Sequence, residues 1–293
     1  MPRRGLVGAA SSLSTGNPRL ATKLVVLVVG NCQVGTVGRC VEAMLPHATV
    51  HAVMVSSDTG KPVANTGPIP REVDAVIAYS TARKALSLTG LIDTARITYV
   101  PRVTFAAYHP DIVYVPHDGG MIPSPMGEYH SAIILRAWLE GLTVPRTLSL
   151  FSEGVYDALG YFAYWESSAR NLLEEGRQVG VTLDDCLRSW SAKGCFMFTV
   201  NHPRLHALAD VARAALRALE LEPSVHHPEL LLSDPLMVGP VWPVFARLLS
   251  SLISRLHRFQ CPKCYDPLLR APSTRTRNPS SFDSATISSK MSP

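Results

Sequence analysis

Gly30-Asn31-Cys32-Gln33 puts a thiol between two carboxamides, at the point where an apolar run gives way to a helical pattern. Three chemistries compete for such a turn: a loop that cradles phosphate, an activated nucleophile, or a small buried residue with no chemistry. The phosphate loop is poorly matched. A Walker loop needs GxxxxGK[ST], whereas Gly30 and Gly35 are followed by Thr36 and Val37; the dinucleotide fingerprint needs GxGxxG, and Gly30, Gly35 and Gly38 are spaced differently. A helix amino terminus can still receive an anion. The nucleophile suits the same geometry better. The helix dipole lowers the pKa of a thiol placed there, and the N–H of Gln33 would face a tetrahedral oxyanion, where one donor is worth roughly 3 kcal/mol. The side chains of Asn31 and Gln33 could bind an oxyanion or orient a carbonyl. A buried, inert Cys32 remains the competing reading, because cysteine is among the most buried residue types.

A cysteine nucleophile needs a base, and ten histidines are available. His202 follows an extended segment and precedes a helix, a position that can share a sheet edge with Cys32. His109 in Tyr-His-Pro-Asp and His117 in His-Asp-Gly-Gly lie on loops after strand-like runs, and Asp111 or Asp118 could orient an imidazole. Cys261-Pro-Lys-Cys264 is a lone CxxC whose nearest further ligand is His257. A structural zinc needs about four ligands, so no metal is expected.

The elements that must position these residues can be read from hydrophobic spacing. Residues 24–29 form a continuous β-branched run ending in glycine, the pattern of a strand covered on both faces of a parallel sheet. Val34, Val37, Val41 and Leu45 have helical spacing that Pro46 ends. Further strands are expected at 49–55, 73–79 and 97–100, and an extended segment at 112–115. The order predicts an α/β fold with a parallel, Rossmann-like core. The later half reads as helical, with helices over 128–141, 153–175, 183–193 and 204–222, and a short strand or extended connector over 195–200.

The predicted organisation is a loose arm (1–22), an α/β domain (23–222), a basic amphipathic appendage (223–270) and a polar, disordered tail (271–293). Within the appendage, Phe245, Leu248, Leu249, Leu252 and Leu256 share a helical face beside Arg247, Arg255 and Arg258. Residues 242–258 therefore suit docking on the core, or contact with a membrane surface or a biosynthetic partner. The 293 residues are 46% hydrophobic and 17% charged, a globular composition. A net charge of +5 without a dense basic stripe argues against nucleic acid as partner. Six cysteines are too few for a disulfide scaffold, and neither a signal-peptide core nor a membrane span is apparent, so a cytoplasmic protein is expected.

Three short motifs, Gly30-Asn31-Cys32-Gln33, Tyr108-His109-Pro110-Asp111 and the Asn201-His202-Pro203 that closes residues 198–203, occur in an order and spacing that resemble the WcbI-type polysaccharide-biosynthesis acetyltransferases. The resemblance spans about residues 23–222. It implies an SGNH-like outline, with Gly-Asn-Cys where SGNH esterases carry Gly-Asp-Ser, together with coenzyme A binding and O-acetylation of a sugar or polysaccharide hydroxyl. It also implies Cys32 as the acyl-accepting thiol and Gln33 as a site residue, and it places His109, Asp111, Asn201 and His202 in one pocket without settling which histidine is the base. Cys32, His202 and Asp111 are taken as the catalytic set, with Asn31, Gln33, His109 and Asn201 as oxyanion or substrate residues. Gly30, Arg39, Arg83 and Arg102, with Lys84, are the candidates to meet coenzyme A. Two rival functions stay open: a cysteine-dependent esterase or thioesterase using water as acceptor, and a nucleotide- or glycan-binding module without turnover.

Overall fold

The computed structural model describes residues 23–63 and 66–245. The arm, the appendage beyond Phe245, the Cys261–Cys264 pair and the tail lie outside the described residues. Four strands build the central sheet: β1 (Val25–Gly30), β2 (Thr49–Met54), β3 (Ala75–Tyr79) and β4 (Arg96–Val100), all parallel, in the order β2-β1-β3-β4. The register sets Val28 beside Ala52 on one flank and Ile77 on the other.

Strand β1 is apolar throughout because both of its faces are covered. Val26 and Val28 point into a core shared with helices α1 (Val34–Met44) and α8 (Leu205–Ala218), while Leu27 and Val29 point to the opposite core, closed by α2 (Arg83–Thr89). Val34, Val37 and Val41 bury the inner face of α1, as the spacing predicts. Gly38 lets α1 settle on β2: a Cβ there would lie 2.8 Å from the Cβ of Ala52. The chain leaves β1 toward β2 and later returns on the other side as β3. The crevice of such a sheet opens at the carboxyl ends of these two strands, and Cys32 directly follows β1.

The α/β expectation holds, and the later half is largely helical. After β4 come β5 (Ile112–Val113), a hairpin of β6 (Pro116–His117) and β7 (Gly120–Met121), and β8 (His130–Ser131), which pairs antiparallel with β5. Helices α3 (Ala132–Leu139), α4 (Val144–Ser149), α5 (Glu153–Ala158), α6 (Tyr164–Gln178) and α7 (Asp184–Ala192) precede α8.

Three elements differ from the sequence expectation. The helix expected from 128 begins only at Ala132, because residues 130–131 pair with β5 and the Ser131 hydroxyl caps α3 by accepting the Ile134 N–H. The helix expected over 153–175 is two helices, broken where Gly160 adopts φ +71°. Residues 195–200 form no strand with the central sheet; Met197 bridges Pro203 across a tight loop that presents Asn201 and His202. Below that loop, Phe105, Tyr108, Trp165, Trp190 and Phe196 interlock, with ring centroids 4.9–5.8 Å apart among the contacting pairs. No helix among the described residues is long and apolar enough to cross a membrane.

Gly30 is fixed by packing. A Cβ at this position would lie 2.6 Å from the Cβ and ring of Tyr79, whose side chain is buried under the cysteine turn, and the backbone φ is +156°. Gly30→Ala is therefore expected to destabilise the protein by about 1–3 kcal/mol, the range for overpacked cores. Urea unfolding would measure it, and a midpoint equal to that of the wild type would show that Tyr79 yields freely.

Candidate active site

The turn after β1 is built by Asn31. Its Oδ1 accepts the Gln33 N–H at 2.9 Å and its carbonyl accepts the Val34 N–H at 3.2 Å, so the side chain closes the turn on which Cys32 is the exposed apex. The Gln33 N–H expected to face an oxyanion is thus already engaged. The Asn31 Nδ2 is buried and has no partner among the described residues.

The thiol also departs from expectation. Cys32 is exposed as a residue, yet the protein packed beside the sulfur removes enough water to push its pKa above the ordinary thiol value. Its own backbone N–H and the positive charge of Arg102 act in the opposite direction without reversing the shift. At rest Cys32 is therefore a neutral thiol, and a base must remove its proton before it can attack.

Gln33 turns out to be a structural clamp. Its side chain is fully buried; Nε2 donates to the carbonyls of Val103 (2.8 Å) and Asn201 (2.9 Å), and Oε1 accepts the Val103 N–H (3.2 Å). Both ends of the carboxamide are spent, which removes Gln33 from substrate binding and makes it the tie between the first motif, the loop after β4 and the third motif. Beyond Asn201 the network continues: its Oδ1 accepts the Tyr129 hydroxyl at 2.6 Å, with Thr199 Oγ1 at 3.1 Å. The Tyr114 and Tyr129 rings lie 5.5 Å apart. Burial first, and the charge of a Cys32 thiolate among the further causes, raise the pKa of both phenols, so they stay protonated over the physiological range and lie within electrostatic reach of the sulfur.

His202 packs edge-on against Tyr129 with ring centroids 6.0 Å apart. Burial lowers its pKa, so it is neutral near pH 7, and its Nδ1 is buried without a partner. It is the imidazole packed against this network, and its Nδ1, like that of His109, makes no hydrogen bond among the described residues. No hydrogen bond joins it to Cys32 in this arrangement.

The other two catalytic candidates are engaged elsewhere. His109 is buried, with Nε2 3.1 Å from the Trp242 carbonyl, and burial pushes its pKa down to about 4. Asp111 faces helix α3: Oδ1 accepts the Ile133 N–H and the Tyr161 hydroxyl, each at 3.0 Å, and burial raises its pKa. The pairing of Ile112 with Ser131 is the cause, because it sets the preceding aspartate against the first turn of α3. Among the described residues no hydrogen bond links Asp111 to a histidine, so the Cys–His–Asp chain suggested by the sequence is not assembled. Of the arginines, Arg102 is the one whose charge reaches Cys32. Arg83 lies over the Tyr99 ring at 4.3 Å, and Arg39, on α1, acts on Cys40. Among the described residues no three His, Cys, Asp or Glu side chains are grouped to hold a metal.

Residues 25–224, well over half of the chain, match the family described as polysaccharide biosynthesis enzyme WcbI. The chain belongs to the WcbI family. The fold agrees: a solved structure of WcbI, described as a novel polysaccharide biosynthesis enzyme in its native form without a disulfide bond between coenzyme A and one of its cysteines, matches with a TM-score of 0.56. The match has 17% identity and covers 78% of this chain and 80% of that one. No curated protein matches the chain.

Within this WcbI-family site, the sequence did not single out Tyr114, Tyr129 or Thr199. Thr199 sits inside residues 198–203 and could have been read as part of that motif. Tyr129 lies in a polar loop, and only its contact with Asn201, 72 residues away, reveals it.

Two outcomes follow from this geometry. Gln33→Met keeps the length and removes the hydrogen bonds, stranding groups on Val103 and Asn201 at about 1–3 kcal/mol each; the urea midpoint should fall with an unchanged slope, and an unaltered midpoint would show that water replaces the carboxamide. The pH profile of Cys32 alkylation by iodoacetamide should have a midpoint above that of an ordinary thiol. Because the Arg102 charge favours the thiolate, Arg102→Gln should move that midpoint higher still; no movement would remove Arg102 from the site.

Proposed function

We propose that this chain is a coenzyme A-dependent O-acetyltransferase acting on a sugar or polysaccharide hydroxyl. The observation that carries the reading is Cys32 itself: an exposed thiol at the carboxyl end of β1, within electrostatic reach of Arg102 and of two protonated phenols, in a chain of a polysaccharide-biosynthesis family. The solved WcbI structure, whose description names coenzyme A alongside a cysteine, supports the choice of donor.

The residues fit an acyl-thioester ligand in kind. Arg102 can offset phosphate charge, and the unpartnered Asn31 Nδ2 is a donor awaiting an acceptor. In the proposed reaction His202 takes the Cys32 proton, Sγ attacks the acetyl carbonyl, and coenzyme A leaves as its thiol with that proton. The acceptor hydroxyl then attacks the Cys32 thioester, gives its proton to His202, and the returning thiol is reprotonated. Tyr129 spends its hydroxyl proton on Asn201 Oδ1, so the donor left for the reacting carbonyl is the unpartnered Asn31 Nδ2 of the cysteine turn. Gln33 acts at a distance by holding Asn201, and through it Tyr129, in place. We assign this chemistry to the cytoplasm, in keeping with the free thiols of Cys32, Cys40, Cys186 and Cys195.

The raised thiol pKa favours one variant of this mechanism, in which the hydroxyl attacks the donor directly and Cys32 only positions it. The same experiments separate the two. Coenzyme A should raise the melting temperature, since a ligand at a hundred times its Kd stabilises by about 2.7 kcal/mol; a flat response to millimolar ligand would refute coenzyme A as donor. Acetyl transfer from acetyl-coenzyme A to a sugar acceptor should fall by roughly a hundredfold or more in both Cys32→Ala and Cys32→Ser if the thioester forms. Near-normal rates in both would leave direct transfer. Acetate released at the same rate without sugar would identify an esterase instead.

A further inference from the structure

Helix α4 has no buried residue, although it is only six residues long and too short to hold its shape unaided. Its apolar side chains lie outward: Val144 is 72% and Leu148 65% exposed, and Trp138 on the neighbouring α3 is 57% exposed. Val144 and Leu148 lie at i and i+4 on one face of α4, and Phe151 follows two residues after the helix ends, extending the apolar strip. The far end of that stripe is already covered. The Phe245 ring packs 5.2 Å from Phe151 and stacks at 5.4 Å on Tyr156, so the last described residue of the chain is seated where the exposed stripe begins.

The sequence that follows Phe245 has the complementary pattern. Leu248, Leu249, Leu252 and Leu256 continue the helical face that Phe245 starts, with Arg247, Arg255 and Arg258 beside it. Thirteen residues, 246–258, would reach about 20 Å as a helix at 1.5 Å per residue, enough to pass α4 and meet α3. We propose that residues 246–258 dock, in the same chain, along the apolar stripe of α4 and against Trp138, with Phe245 as the anchored first contact. The same face accounts for two observations at once: a helix without a buried residue, and an amphipathic run in the sequence that begins at the anchor. The competing occupants are a second copy of the chain and a lipid surface, but neither explains why the chain's own anchor sits at the end of the stripe.

The test uses the full-length chain with photoreactive p-benzoylphenylalanine in place of Leu148, irradiated in dilute solution, with the cross-linked peptides mapped by mass spectrometry. A cross-link from position 148 to residues 246–258 within one chain, at a yield independent of protein concentration, is the expected result. A product between differently isotope-labelled copies, a product only with lipid when phosphatidylcholine/phosphatidylglycerol vesicles are added, or no product would each overturn the proposal. A second measurement does not depend on the photoprobe. In the double variant Leu249→Glu, Leu252→Glu, hydrogen exchange of the α4 amides should quicken about tenfold while β1 and β3 keep their protection. Unchanged exchange in α4 would count against docking as firmly as a missing cross-link.

Discussion

One carboxamide holds the site together. The side chain of Gln33 is fully buried and makes hydrogen bonds to the main chain of Val103 and of Asn201. A buried amide is tolerated only when its donors and acceptor are satisfied, so the loop after β4 and the loop before α8 must both come to the turn after β1. The Asn31 side chain shapes that turn from below, and the aromatic cluster around Phe105 and Phe196 keeps the two loops from drifting apart. The turn that carries Cys32 is thereby held by the Asn31 and Gln33 side chains on either side of it.

This arrangement divides labour among residues that look alike in sequence. Of two neighbouring carboxamides, Asn31 spends its oxygen on the turn and leaves its nitrogen unpartnered, while Gln33 is consumed entirely. Of two histidines in similar His-Pro contexts, His109 sets its Nε2 against the Trp242 carbonyl below the surface, while His202 packs its ring against Tyr129; each keeps a buried Nδ1 without a partner among the described residues. Burial keeps both imidazoles neutral, and what separates them is the ring they meet: His202 lies against the Tyr129–Asn201 network and His109 does not.

The sheet, α1 and the cysteine turn were legible in the sequence because their signals are local. A strand covered on both faces must be apolar at every position, and a helix covered on one face must repeat every three or four residues; β1 and α1 do so. The roles of Gln33, Asp111 and Tyr129 were not legible. Gln33 meets partners 70 and 168 residues away, and the orientation of Asp111 is decided by the short pairing of β5 with β8, two residues on each side, which leaves no periodic trace. The direction of the Cys32 shift was not legible for a related reason: position relative to a helix dipole can be inferred from sequence, but the water displaced by protein packed beside the sulfur cannot.

The hairpin of Pro116–His117 and Gly120–Met121 lies between Tyr114 and Tyr129 in the chain, and its residues are exposed. It closes on itself, and Ile122 returns to the Val115 carbonyl before the chain goes on to Tyr129. The span between the two phenols is therefore a self-contained excursion whose length and composition can diverge while both hydroxyls stay where they are.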